Sequence, residues 1–398
     1  MSEDETIVRV AARGDGVTAD GRHAALAAPG DRLRADGSVA RGPRHVEPPC
    51  RHFPECGGCQ LQHLDDAAYA QFLTGRIAGA LAQHGLTAEI RAPMLSPPRT
   101  RRRATLHAER RGRQVHLGFT EQSSHRLIDV QQCEVLDPWL FSLLQPLRGL
   151  LASYLPESRR VNVHLALTDQ GPDILVDGLV TDSLKAVEAV TAFAMRHALG
   201  RLSVDDGLGP EARWEPDPVT VSFGGVAVPF PAASFLQATP EGETALVDAV
   251  REAVGGAKTI ADLFAGLGTF TFAMDPKAKV YAGEGARDAI LSLKAAAGRG
   301  LRQVFAEHRD LFRRPLTAKE LDLFDAVILD PPRAGAKEQA IELAASKAPV
   351  IAYVSCNPAT FARDAEALVK GGYRLDWVQP VGQFRWSTHA ELAAKFSR

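Results

Sequence analysis

Three of this chain's five cysteines fall within the stretch CRHFPECGGCQLQH, as Cys50, Cys56 and Cys59; Cys133 follows in DVQQCEVL and Cys356 in YVSCNPATFARD. A thiolate is both a metal ligand and a nucleophile, and clustered cysteines in a reducing compartment more often serve one of those ends than form disulfides. Four thiolates suit a 4Fe–4S cluster or a structural zinc ion, and their number alone does not choose between them. The C-x3-C-x2-C spacing of radical chemistry is absent. A lone cysteine such as Cys356 is most often a small buried hydrophobe. Two other groups keep it in view. Asp330 stands in LDPPRAG, where Pro331 and Pro332 stiffen a turn by fixing φ. His389 and Glu391 stand in FRWSTHAELAAKF, and two residues apart on a strand they would share one face.

These residues need elements to carry them. After about residue 225, short apolar runs (TIADLF, KVYAGEG, DAVILD, VIAYVS) alternate with helical stretches such as TALVDAVREAV and KEQAIELAASK. That alternation predicts an α/β fold with a parallel, doubly wound sheet, whose ligands sit at the carboxyl ends of the strands. The chemistry-bearing residues stand at such ends. Gly266 and Gly268 of DLFAGLGTF let the backbone turn tightly against a ligand. Glu284, eighteen residues after Gly266, suits the hydroxyls of a ribose. The third glycine of a dinucleotide fingerprint is missing, which favours a nucleoside cofactor such as S-adenosylmethionine over one with a pyrophosphate. Asp310 in HRDLF is placed to meet an adenine edge or, equally, to cap a turn. Arg333 stands where amino-group methyltransferases carry an aromatic residue in a similar loop, which argues against that chemistry.

The first half reads differently. Residues 6–39 alternate short β-type runs with Gly-Asp turns and predict a small, incomplete β-barrel. DDAAYAQFLTGRIAGALAQHGL has helical spacing and ends at Gly85. ATLHAER, QVHLGF and much of 161–225 read as strands, with a helix at TDSLKAVEAVTAFAMRHAL. The whole chain, 398 residues with a net charge of −2, is long enough for two or three domains and gives no global argument for nucleic acid. Between Arg91 and Arg126, however, nine arginines meet only two acids. Arg101, Arg102 and Arg103 head that run and predict a surface that grips phosphate, the alternative being a solvated charged face. The acidic N-terminus is no signal peptide, and no apolar run approaches the roughly 18 residues of a membrane span. The expectation is a cytoplasmic protein outside the membrane.

Together CRHFPECGGCQLQH, SFLQ, DLFAGLGTF, LDPPRAG, SCNPATFARD and THAEL, in that order from about residue 45 to the end, resemble the bacterial RNA (uracil-5-)-methyltransferase family. They look most like its iron–sulfur branch, which methylates uridines of 23S ribosomal RNA. The resemblance implies a Rossmann-like S-adenosylmethionine-dependent catalytic domain over 226–398. It also implies a central α+β RNA-binding domain over 45–225 and a shortened TRAM-like β region over 1–44. Uracil C5 is a poor nucleophile, so a thiolate must first add to C6. The resemblance gives that role to Cys356, the removal of the C5 proton to Glu391 with His389 orienting it, and a hydrogen bond to the uracil edge to Asp330. Phe235 and Gln237 of SFLQ would belong to the pocket, and Gln237, Gly266, Glu284, Asp310 and Asp330 to the cofactor site. Cys50, Cys56, Cys59 and Cys133 would hold a 4Fe–4S cluster, leaving Cys356 for catalysis. The target base would leave its stack to reach the pocket.

The chain departs from the family pattern in places. Thr239 stands for a usual Asn, Ala265 and Thr269 for Cys and Asn, and Gln383, Phe384, Arg385 and Trp386 for Asp-Met-Phe-Pro. The expected partner is ribosomal RNA, bound by a monomer with no stable protein partner. Within the class the alternative is a transfer-RNA methyltransferase, a branch that usually lacks the cluster cysteines. Outside it stands a non-catalytic iron–sulfur RNA-binding factor, although an idle site has no physical need of Cys356, Glu391 and Asp330 together.

Overall fold

A computed structural model describes residues 4–179, 181–300 and 302–398. Glu5–Val10, Gly16–Thr18, His23–Ala24, Arg32–Leu33 and Val39–Ala40 form an open antiparallel sheet with the first strand at its centre. Its small core is Ile7, Ala24, Ala27 and Leu33. Buried Asp31 closes the unit by accepting from the N–H groups of Ala28 (2.8 Å) and Gly42 (2.7 Å) and meeting the His45 ring.

A seven-stranded sheet follows, with Arg103–Arg111, Arg160–Thr168 and Gly171–Asp177 in its middle. Helix Leu184–Arg196 carries the chain over to Arg201–Asp205, which joins in parallel. Strand alternation puts Leu106, Val163, Leu165 and Ile174 on one face, with Leu147 and Leu151 of helix Leu144–Tyr154 and Val190 of helix Leu184–Arg196 in the same core. The polar positions occupy the other face, where His107 lies opposite Asn162 and Thr105 opposite His164.

The C-terminal sheet has nine strands. Val304–His308, Lys279–Glu284, Thr259–Leu263, Ala326–Leu329 and Val350–Ser355 lie side by side in that order, all parallel. The order reverses between Thr259–Leu263 and Ala326–Leu329, the switch point at which such sheets bind ligands. Glu391–Ser397 then inserts antiparallel between Val350–Ser355 and Arg374–Gly382. Alternate strand residues feed two cores. Val327, Ile351 and Tyr353 pack with helices Lys337–Ala345 and Pro358–Lys370, while Ile328, Ala352 and Val354 pack with helix Pro240–Val254.

Two boundaries differ from the partition expected at 45–225 and 226–398. Helix Asp66–Gln83 buries Ile77 and Leu81 in the core with Val327 and Tyr353. Glu89–Ile90 and Met94–Leu95 pair with Arg374–Gly382, so residues 66–95 complete the C-terminal domain. The hairpin of Thr220–Phe223 and Val226–Pro229, which a boundary at 225 would cut, packs Val221 and Phe223 against Leu293 and Ala296 of helix Arg287–Arg299. Periodicity tells which face of a helix is apolar but not which sheet it will cover. Among the described residues no helix is long and apolar enough to cross a membrane.

Candidate active site

The carboxyl ends of the parallel strands open on a cavity of about 1370 Å³. Its first wall is the turn after Leu263, where Phe264, Gly266 and Gly268 take φ of 64°, 55° and 94°. A Cβ on Gly268 would stand 2.7 Å from the Phe272 ring, whereas Gly266 faces open space and needs glycine for its φ alone. Glu284 accepts from the N–H groups of Gly266 (2.9 Å) and Ala286 (2.6 Å), so the acid expected at a ribose also holds the turn. Asp310 lines the cavity and accepts from Phe312 N–H at 3.0 Å, the turn-capping one of its two expected roles. Phe312 lies 5.3 Å from Phe264, an aromatic wall the sequence reading did not find.

The floor is acidic. Burial, then Asp262 and Glu284, push Asp330 up to about 7. Asp262 accepts from Thr271 Oγ1 at 2.6 Å, its Oδ1 has no partner, and burial pushes it up to about 6. Carboxyls so placed ionise when a cation arrives among them.

Register brings Cys356 and Glu391 to the same edge. Because Glu391–Ser397 runs antiparallel with Leu392 opposite Ser355, its first residue lies at the edge where Cys356 emerges. Burial, Glu391 and Asp330 raise the Cys356 thiol, and Arg333 pulls it down. Burial and Asp330 hold Glu391 well above the usual carboxylate range, against Arg103 and Arg333. Gln383 Nε2 donates to Glu391 Oε2. His389 precedes the strand, and its ring meets Arg333 Nη2 at 3.1 and 3.2 Å and the Phe384 ring. Among the described residues no hydrogen bond joins it to Glu391, which corrects the expectation that the two share a strand face. The reason is the Thr388 N–H, drawn to Gln60 Oε1 at 3.3 Å, which holds this stretch as a loop. Burial, Arg333 and Arg101 keep the His389 pKa low.

Helix Pro358–Lys370 braces the LDPPRAG loop. Arg333 O accepts from Asn357 Nδ2 (3.0 Å) and Thr360 Oγ1 (3.1 Å), and Ala334 O from Arg363 Nη2 (3.0 Å). Buried Asp364 accepts from Ala336 N–H and the Tyr353 hydroxyl, both at 2.7 Å. SCNPATFARD thus holds the loop from Arg333 to Ala336 as well as presenting Cys356.

The arginine run is not one exposed patch, which corrects the surface expected of Arg101, Arg102 and Arg103. Arg101 and Arg103 line the cavity, over the rings of Phe384 (5.5 Å) and exposed Phe235 (4.6 Å), and burial pushes Arg103 down to about 10. Arg102 pairs with Glu243 at 2.5 Å and donates to Gln237 O at 3.1 Å, bolting the central sheet to the C-terminal domain. Gln237 is buried, its Oε1 accepting from Gln383 Nε2 at 2.7 Å. Thr239 caps helix Pro240–Val254 by accepting from Gly242 N–H at 3.0 Å, a role an Asn fills equally well.

Cys50, Cys56, Cys59 and Cys133 line a second, smaller cavity, all as free thiols. Burial raises all four, Cys56 to about 11 and Cys59 to about 12, so they stay protonated unless a metal draws the protons off. Leu136 N–H donates to Cys133 Sγ at 3.4 Å. Among the described residues no group of three or more His, Cys, Asp or Glu is placed to hold a metal ion. The loop docks on the segment leading to Glu391, with Gln60 and Leu61 N–H both donating to Trp386 O at 2.8 Å and Trp386 packed on Cys59 and Val135.

Residues 228–398 match the tRNA (Uracil-5-)-methyltransferase family. An uncharacterized RNA methyltransferase of Zymomonas mobilis is 49% identical over 98% of this chain and 99% of its own length. The 23S rRNA (uracil(1939)-C(5))-methyltransferase RlmD of Chromohalobacter salexigens is 33% identical over 90% of this chain and 78% of its own. The tRNA (uracil-54, C5)-methyltransferase of Pyrococcus abyssi, solved with S-adenosyl-L-homocysteine, superposes with a TM-score of 0.77 at 22% identity over 99% of both chains.

Proposed function

The chain belongs to the RNA (uracil-5-)-methyltransferase family, and from that premise we propose that it methylates C5 of a uridine in 23S ribosomal RNA through a covalent adduct with Cys356. The observation that carries the reading is the register with Leu392 opposite Ser355, which brings thiol and carboxylate to one edge beside Asp330. Cys356 thiolate adds to uracil C6, and the electrons displaced onto the ring make C5 a nucleophile. C5 takes the methyl group from S-adenosylmethionine. Glu391 carboxylate removes the C5 proton, the ring π bond re-forms, and the Cys356–C6 bond breaks with the electrons returning to sulfur. Arg333 favours the thiolate at the start and at the end. A positively charged cofactor would favour the ionised forms of Asp330 and Glu391, which burial holds above the usual carboxylate range.

A 4Fe–4S cluster would be held by Cys50, Cys56, Cys59 and Cys133. When bound it would ionise those thiols and tie their segments together, and no step passes through it. What supports a metal group there is that all four thiols line one cavity. Support for ribosomal RNA is the similarity to RlmD together with those four cysteines. We read the protein as a cytoplasmic monomer.

The test is a denaturing gel with S-adenosylmethionine and transcripts carrying 5-fluorouridine, whose C5 fluorine cannot leave as a proton. A band of retarded protein on 23S fragments, absent with Cys356→Ala, is expected. A band on transfer RNA alone would move the substrate to that class, and a band that persists in Cys356→Ala would remove the nucleophile.

A further inference from the structure

One buried amide joins the cofactor side of the cavity to its reacting side. Gln383 is 1% exposed and follows strand Arg374–Gly382. Ala238 N–H donates to its Oε1 at 2.7 Å. A backbone N–H can only donate, so this bond fixes which end of the amide is oxygen. The Nε2 group therefore turns toward two acceptors, Gln237 Oε1 at 2.7 Å and Glu391 Oε2, one for each hydrogen. The helix Pro240–Val254 makes room for it in its first turn, since a Cβ on Gly242 would stand 2.5 Å from Gln383 Cβ.

We propose that Gln383 is a positioning residue for Glu391: its amide occupies Oε2 and holds the carboxyl so that Oε1 takes the C5 proton. The inference rests on the reaction proposed above, in which Glu391 is the base. An N–H donor stabilises the ionised form of a carboxyl. The amide therefore lets the base work at lower pH in this chain. Its second N–H orients Gln237, whose own Nε2 is left for the cavity that residue lines.

The experiment follows the covalent protein–RNA species formed on ordinary uridine RNA with S-adenosylmethionine, in wild type, Gln383→Met, Gln383→Glu and Glu391→Gln. Wild type should resolve the adduct quickly and show little of it, and Glu391→Gln should accumulate it. Gln383→Met, losing both donors, should accumulate it too, with resolution slowed about tenfold or more and the KM for RNA within about twofold. Gln383→Glu has the same shape and keeps the Ala238 bond but sets a second carboxyl against Glu391. Its resolution rate should reach half-maximum at a pH about one unit above wild type. Resolution at the wild-type rate and pH midpoint in both variants overturns the proposal, as does a uniform fall at every pH without accumulation, the mark of a packing defect. If wild type forms no adduct even on 5-fluorouridine RNA, the underlying reaction fails first, and a normal adduct with unaffected Gln383 variants removes Gln383 alone.

Discussion

The two cysteine sites hold the same functional group in opposite settings. Cys56 and Cys59 sit in a small cavity where burial drives their thiols to about 11 and 12, and their loop binds Trp386 by two backbone hydrogen bonds. Cys356 stands at the mouth of a cavity of about 1370 Å³, raised by burial and acids but drawn down by Arg333. A thiol walled in with other thiols waits for a metal to ionise it, whereas one beside a guanidinium in an open cavity is available to a substrate. Sulfur chemistry here is assigned by surroundings, and the two sites meet through the loop from Gln383 to Glu391.

The largest expected effect separates the sites outright. Cys356→Ala should lower methyl transfer by at least about 10⁴-fold while leaving iron content and melting temperature unchanged; retained turnover would end the comparison. Cys133→Ser should do the reverse, losing the brown colour and bound iron and melting lower by the order of 10 °C. A colourless wild type, or a brown and equally stable mutant, would break the ligand assignment.

A third test uses the acids. Burial pushes Asp330 up to about 7 and Asp262 up to about 6, so both are protonated at low pH, and a cationic cofactor binds best when they are ionised. Binding then releases protons, so affinity rises with pH up to about 7 and levels off above it. S-adenosylmethionine should bind about tenfold more weakly at pH 5.5 than at pH 8, with a shallower change for S-adenosylhomocysteine, which lacks the sulfonium charge. Equal slopes by calorimetry would show that the floor does not respond to that charge. The smallest effect concerns Arg333. Arg333→Ala should slow alkylation of Cys356 by iodoacetamide about threefold, a modest figure because the guanidinium is exposed and screened, and should leave the other cysteines as they were.

Much of this was legible in advance where function is written in contiguous residues. DLFAGLGTF foretold a tight glycine turn, and LDPPRAG and SCNPATFARD foretold strand ends that open on the cavity. What escaped was any role that depends on a partner far along the chain. His389 looked like a strand neighbour of Glu391 until Gln60, from the cysteine loop, was found holding Thr388 off the strand. Arg102 looked like a phosphate ligand until Glu243 claimed it. Gln383 stood only as a departure from the family pattern, with no sign that Ala238 fixes its amide toward Glu391.

By itself the sequence determined the alternation of strands and helices, the ends at which chemistry would lie, and the types of the reacting groups, because periodicity and residue chemistry are local. Tertiary structure alone decided that residues 66–95 complete the C-terminal sheet, that four distant thiols share one cavity, and that Cys356 and Glu391 line the same cavity. That last pairing comes from one antiparallel strand inserted with Leu392 opposite Ser355, and register between strands is set by packing across the sheet, which no short stretch of sequence contains.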